Sequence, residues 1–336
     1  MPMILGWVVI GNFNVERNAA TLHLLSSLMA IYVACIGVAE IVLKQDLLPL
    51  PGSELLTAGS LPRPNGPFYT NDAFALIGLI TFFLLLFLRN LLGEKLSFWR
   101  QVLHDIGLVS SLAMAVMPMF RSDVIALMVI LVIATLSERR PSKRLAGSAL
   151  FVLCLLAVLL FRILVPDAYS DRSRPENVYG RLAQQIQTWQ VFSGHPILGV
   201  GLGNFTEVVA GDTRYYWFYS NIRSVDSPHN TLGGILAETG ILGFIPYVSA
   251  QVILLLTFWR LRAERSPNKR LAWTYFLYIF LGYWIHGMGE TSGYLSDVNL
   301  WFAFSIAIVY KYSMTAEVSS GNPVATRRAV AQEFAY

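Results

Sequence analysis

Apolar residues run in long blocks along this chain, separated by short polar breaks. A helix needs about 20 residues to cross a hydrocarbon layer. Blocks of that order predict spans at Ala19–Leu43, Asn71–Leu88, Val102–Phe120, Ser122–Leu136, Ala146–Val165, Thr231–Phe258, Leu271–Met288 and Asn299–Tyr312, the last short if taken alone. Met1–Gly11 is apolar but too short to span, so it reads as a truncated helix, a re-entrant piece or a surface segment. Pro166–Pro228 is the one long hydrophilic stretch. Within it Val178, Leu182, Ile186, Trp189 and Phe192 recur at helical spacing, which predicts an amphipathic helix at the membrane surface, stopped by Gly194-His195-Pro196. The expected fold class is all-α: a polytopic integral membrane protein with about eight transmembrane helices and one long extracytoplasmic loop containing that helix. The expected organisation is a short apolar segment over 1–18, five spans over 19–165, the loop over 166–228, three spans over 229–312 and a disordered cytoplasmic tail over 313–336.

Composition agrees with the pattern. Of 336 residues, 55% are hydrophobic and 14% charged, against about 25% charged in soluble domains. A large soluble enzyme is excluded. The net charge of +4 matters less than where the basic residues fall. Arg139, Arg140, Lys143 and Arg144 form one dense loop, and Arg260, Arg262, Arg265, Lys269 and Arg270 another. Basic loops stay in the cytoplasm. That places the N-terminus inside and Pro166–Pro228 outside. Lys44–Thr70, the join at Arg121 and Glu290–Asp297 then also lie outside, and Arg89–Arg100 inside. Cys35 and Cys154 both sit in apolar runs and form neither a metal-ligand spacing nor a disulfide framework.

The chemistry gathers on the outer face. Arg63, Arg121, Arg181, His229 and Glu290 are isolated charges at span ends. Arg121 interrupts two apolar spans, a costly place for a guanidinium. It reads either as a side chain snorkelling to lipid phosphate or as an anion clamp, since its planar fork matches phosphate. His229 follows Pro228 at the mouth of the sixth span and can exchange a proton near neutral pH; the plainer reading is a cap. Asn230 can bond sugar hydroxyls or hold the imidazole. Glu238 lies inside an apolar run punctured by Gly233, Gly234, Gly240 and Gly243. On a continuous helix Glu238 and His229 fall on opposite faces unless the helix breaks near Gly240, so Glu238 is read as structural. Gly199-Val200-Gly201-Leu202-Gly203 lacks the spacing and flanking elements of a dinucleotide loop and reads as a turn. Tyr215–Tyr219 reads as an interfacial aromatic belt, with sugar stacking as the alternative.

Five motifs occur in order. They are Arg63-x-x-Gly66-x-Phe68, Phe120-Arg121-Ser122, Arg181 through Trp189 to His195-Pro196-Ile197-Leu198-Gly199-Val200-Gly201, Pro228-His229-Asn230 with Glu238-x-Gly240-x-x-Gly243, and the carboxylate Glu290. Together they resemble the O-antigen ligase and O-antigen polymerase family over about residues 60–310. Two departures stand out: family members usually have ten or more spans, and Phe120 stands where serine is common.

The resemblance implies a membrane glycosyltransferase working in cell-surface polysaccharide biosynthesis, as a ligase or a polymerase. Its donor would be a glycan on undecaprenyl pyrophosphate. The acceptor would be a glycan or lipid A-core hydroxyl, with membrane lipids and a chain-length regulator as further partners. His229 would be the base. Arg63, Arg121, Arg181, Asn230 and Glu290 would bind substrate, and Glu238, Gly240 and Gly243 would be structural. Pyrophosphate is a good leaving group, so no general acid is required; with no metal-ligand cluster in the sequence, no metal, other cofactor or nucleic-acid partner is expected. Two other classes remain open: a transporter or flippase of lipid-linked oligosaccharide, and a non-catalytic subunit of a polysaccharide assembly.

Overall fold

The computed structural model describes residues 2–50, 55–93, 96–138, 140–216, 218–219, 222–223, 227–264, 266–290 and 297–315. Of the expected tail, 316–336 lies outside the described residues, as does Trp217 in the aromatic run. The fold is all-α with two minimal hairpins. Its helices are α1 (Pro2–Asn12), α2 (Val15–Leu43), α3 (Asn71–Leu92), α4 (Phe98–Val116), α5 (Arg121–Ser137), α6 (Pro141–Leu164), α7 (Pro166–Arg172), α8 (Pro175–Gly194), α9 (Phe205–Gly211), α10 (Thr231–Ala263), α11 (Pro267–Gly287) and α12 (Asp297–Ser313). Eight of them, α2 to α6 and α10 to α12, occupy the eight apolar blocks. Four helical stretches (17–43, 71–92, 144–164 and 231–263) are by themselves long and apolar enough to cross a membrane. The short apolar start forms α1, which packs along α12.

Helix α3 is the axis of the bundle. Phe74, Leu76, Leu84, Leu85, Phe87 and Leu88 are fully buried where α2, α4, α11 and α12 surround it. Small residues permit the close approach: a Cβ on Gly78 would lie 2.5 Å from that of Met114 on α4. Helix α6 is the opposite case. It packs on α5 and leaves Val152, Leu153, Leu159 and Ile163 exposed. Apolar surface on that scale belongs against lipid.

One helix end and one helix interior depart from the expected blocks for local reasons. Helix α4 stops at Val116, not Phe120, because Pro118 has no N–H to continue the ladder and Met119 turns with φ 60°. Arg121 therefore opens α5 instead of lying in a featureless join. Helix α10 is broken at Gly240, with φ 60° and ψ −165°. The loop after α8 wraps that break. Ile241 and Leu242 N–H donate to the Pro196 and Ile197 carbonyls at 2.9 and 3.2 Å, and Val200 and Gly201 N–H donate to those of Ala237 and Glu238 at 3.1 and 2.8 Å. The backbone groups freed by the break are satisfied there.

Helix α8 is amphipathic with its polar face turned inward. Gln184, Gln187 and Thr188 are buried while Val178, Leu182 and Trp189 are exposed, and the helix packs on α10. A water-soluble helix would do the reverse. The apolar stripe suits a lipid interface, which is the setting expected for it.

Candidate active site

The loop before α3, the α4–α5 turn, α8 and the end of α11 meet at one end of the bundle. Glu290, just beyond α11, joins them. His229 Nδ1 donates to Glu290 Oε2 at 2.7 Å, and Arg181 Nη2 donates to Oε1 at 2.6 Å. Arg181 Nη1 also donates to the Gly289 carbonyl, and Thr231 Oγ1 to that of Glu290 at 3.0 Å. Helices α8, α10 and α11 are thus tied through one carboxylate. Burial acts to raise the Glu290 carboxyl, but the hydrogen bond from His229 and the charge of Arg181 together hold it below its ordinary value.

His229 has φ 46°, the left-handed conformation rare outside glycine. That turn sets Asn230 as the cap of α10, its Oδ1 accepting from Gly233 N–H at 3.0 Å. The side-chain oxygen of Asn230 thus holds the helix. With Nδ1–H given to Glu290, the lone pair of a neutral His229 ring lies on Nε2, the nitrogen able to take up a proton.

Beside Glu290 opens a cleft of about 570 Å³. Arg121, Arg181 and Glu290 line its polar end, and Val178, Leu182 and Met288 are among its apolar walls. Arg121 and Arg181 thus reach one cavity from α5 and α8. Arg63 stands one layer back. Its Nε donates to the Pro118 carbonyl at 2.9 Å, and its guanidinium lies 4.4 Å from the centre of the Phe120 ring, which itself lines the cleft.

The Arg63 loop has an anchor that sequence reasoning missed. Glu40, fully buried within α2, accepts from Asn65 and Gly66 N–H at 3.0 and 2.9 Å. Glu238 does the same on the other side of the site, accepting from Gly203 N–H at 2.9 Å and Phe205 N–H at 3.3 Å at the start of α9. Gly240 is the break itself. Gly243 fits under Thr239, whose Cβ would be 2.3 Å from an added one.

A second missed group lies beneath the cleft. His286 Nδ1 donates to Asp123 at 2.9 Å, both side chains wholly buried, and His286 Nε2 lies 3.7 Å from Asp72 Oδ2. The available signal was an aspartate within each of two apolar blocks, each an ionisable residue in a membrane-length run.

Comparison with known families covers three of the five motifs, those between Phe120 and Gly243. Residues 106–248 match the family model described as O-antigen ligase, a stretch running from α4 through Arg121, Arg181 and His229 into α10. No curated protein matches the chain.

Proposed function

We propose, from the similarity of residues 106–248 to O-antigen ligases, that this integral membrane protein transfers glycan from undecaprenyl pyrophosphate to an acceptor hydroxyl. The reaction takes place at the outer face of a bacterial inner membrane. The single observation that carries the reading is the Arg181–Glu290–His229 chain, at 2.6 and 2.7 Å, opening beside a cleft that Arg121 also lines.

The chemistry follows from that arrangement. The acceptor oxygen attacks the anomeric carbon, its proton passes to His229 Nε2, and the bond from that carbon to the pyrophosphate oxygen breaks. The lipid pyrophosphate leaves with the bonding pair. Arg121 and Arg181 meet the charge that grows on it, and such fixed charge in a low-dielectric site is the largest usual source of rate. Glu290 holds the imidazole by its Nδ1–H and stabilises the imidazolium once formed, the role a carboxylate plays behind any histidine base. Arg63 supports Phe120 and so the wall of the cleft. The apolar walls suit a lipid-borne donor.

The orientation proposed is N-terminus inside, with the basic loops around 138–144 and 260–270 cytoplasmic. The test is genetic and chemical together. Deleting the gene should cause a lipid-linked glycan to accumulate, single repeat units marking a polymerase and long polymer a ligase. The intact chain should clear it, and Glu290→Gln should not. Clearance by Glu290→Gln at the wild-type rate would remove the site from the reaction.

A further inference from the structure

We propose that Asp123, His286 and Asp72 are positioning residues for this site, holding the Arg121 end of α5 against the turn that carries Glu290; the inference rests on the transferase reading above. The three side chains come from three helix ends: Asp72 from the first turn of α3, Asp123 from the first turn of α5, His286 from the last turn of α11. His286 stands between the two carboxylates, 2.9 Å from Asp123 and 3.7 Å from Asp72.

The cluster adjoins two segments that line the cleft, Phe120 to Ser122 and Met288 to Glu290. Gly289 and Glu290 N–H both donate to the His286 carbonyl, at 2.9 and 3.0 Å, so the turn bearing Glu290 is built on His286. Asp123 follows Arg121 and Ser122 on α5. A Cβ on Gly289 would lie 3.2 Å from that of Ser122, so the two segments are in contact. The Phe120 ring centre is 6.4 Å from that of His286. The imidazole bond to Asp123 therefore ties the end of α11, which carries Glu290, to the head of α5, which carries Arg121.

Stability alone is a poor reason for such a cluster. Well-packed apolar residues commonly replace a buried ion pair at no cost, whereas removing one partner strands a charge. What apolar packing cannot supply is direction: an Nδ1–H to carboxylate bond fixes where α5 meets α11.

The experiment uses the full chain in lipid nanodiscs with three readouts: thermal unfolding, binding of farnesyl pyrophosphate as a probe, and transfer of lipid-linked glycan extracted from the deletion strain. The double variant Asp123→Leu/His286→Leu leaves no stranded partner between those two positions, and Asp72 keeps its hydrogen bond with Thr70. The expected result is a folded protein whose turnover per folded molecule falls about 10- to 100-fold, the scale of a misplacement near 1 Å, with weaker probe binding. Wild-type turnover and binding per folded molecule would overturn the proposal. If the double variant does not fold, Asp123→Asn is compared with Asp123→Ala. Asparagine keeps the acceptor oxygen, so positioning predicts rescue per folded molecule, and equal values for the two overturn it. If the wild type binds the probe but transfers nothing, the transferase reading fails alone, and the cluster is judged on binding. If it does neither, both fall.

Discussion

Gly199 and Gly240 meet backbone to backbone. A Cβ on Gly240 would lie 2.7 Å from the Gly199 nitrogen and 2.3 Å from the Ile197 carbonyl oxygen, and one on Gly199 would lie 2.2 Å from the Glu238 carbonyl carbon. Both residues have positive φ, 60° at Gly240 and 66° at Gly199. The contact clamps the loop after α8 onto the break in α10, and so fixes Arg181 relative to His229. Gly240→Ala and Gly199→Ala should each lose stability by at least the roughly 1–3 kcal/mol of a non-glycine residue held at positive φ, with the clash added. Thermal unfolding in detergent measures it. A variant as stable as the wild type would show that the loop is not clamped.

Arg121 and Arg181 line the same cleft from different helices, and their roles separate by substitution. Arg121→Lys keeps the charge and loses the fork. Transfer efficiency, kcat/KM, should drop about 10- to 100-fold, matching the roughly 1.5–3 kcal/mol of a hydrogen bond to a charged group, with folding unchanged. Kinetics on purified protein with extracted donor decide it, and full activity in Arg121→Lys would return Arg121 to the role of a lipid anchor.

The spans were legible because an apolar block is a property of the chain itself. Their ends were less so. Pro118 stops α4 inside a block that reads as uninterrupted, which put Arg121 at a join instead of at the head of a helix. The break at Gly240 could be anticipated from its glycines, but its partner Gly199 lies in another segment, and only the fold brings them together. Arg63 reads like the other two arginines, yet the fold gives it Pro118 and Phe120 as neighbours. Glu40, Asp72 and Asp123 each stand alone in an apolar run. What they bind, a loop backbone or His286, is set by packing between helices that no local pattern encodes.

The Glu290 carboxyl is held below its ordinary value by His229 and Arg181 against the opposing effect of burial. A carboxyl depressed on folding contributes stability that is present above its unfolded value and lost as pH falls through the folded one. The unfolded reference is 4.5. The wild-type melting temperature should therefore fall as pH drops below that value. Glu290→Gln carries no titrating carboxyl, so it should be less stable at neutral pH and should show a flatter decline on acidification. Parallel slopes for the two proteins would mean that Glu290 is not the linked group.

His229 makes the sharpest claim, and its backbone dictates how to test it. At φ 46°, alanine would add strain of its own, so His229→Ala confounds chemistry with folding. Asparagine tolerates the left-handed region and glycine occupies it freely. His229→Asn and His229→Gly should therefore fold, with α10 still capped by Asn230. Loss of a general base typically lowers the rate about 10²- to 10⁴-fold, and turnover per folded molecule should fall by that order in both. Glu290 and Arg181 remain to bind an added small base, so imidazole in the buffer should restore part of the activity of His229→Gly and none of that of Glu290→Gln. A histidine that only shapes the loop predicts the reverse: modest loss of stability, unchanged turnover per folded molecule and no response to imidazole. Steady-state transfer by the two variants, with and without imidazole, distinguishes them, and wild-type turnover in His229→Asn would remove His229 from the mechanism.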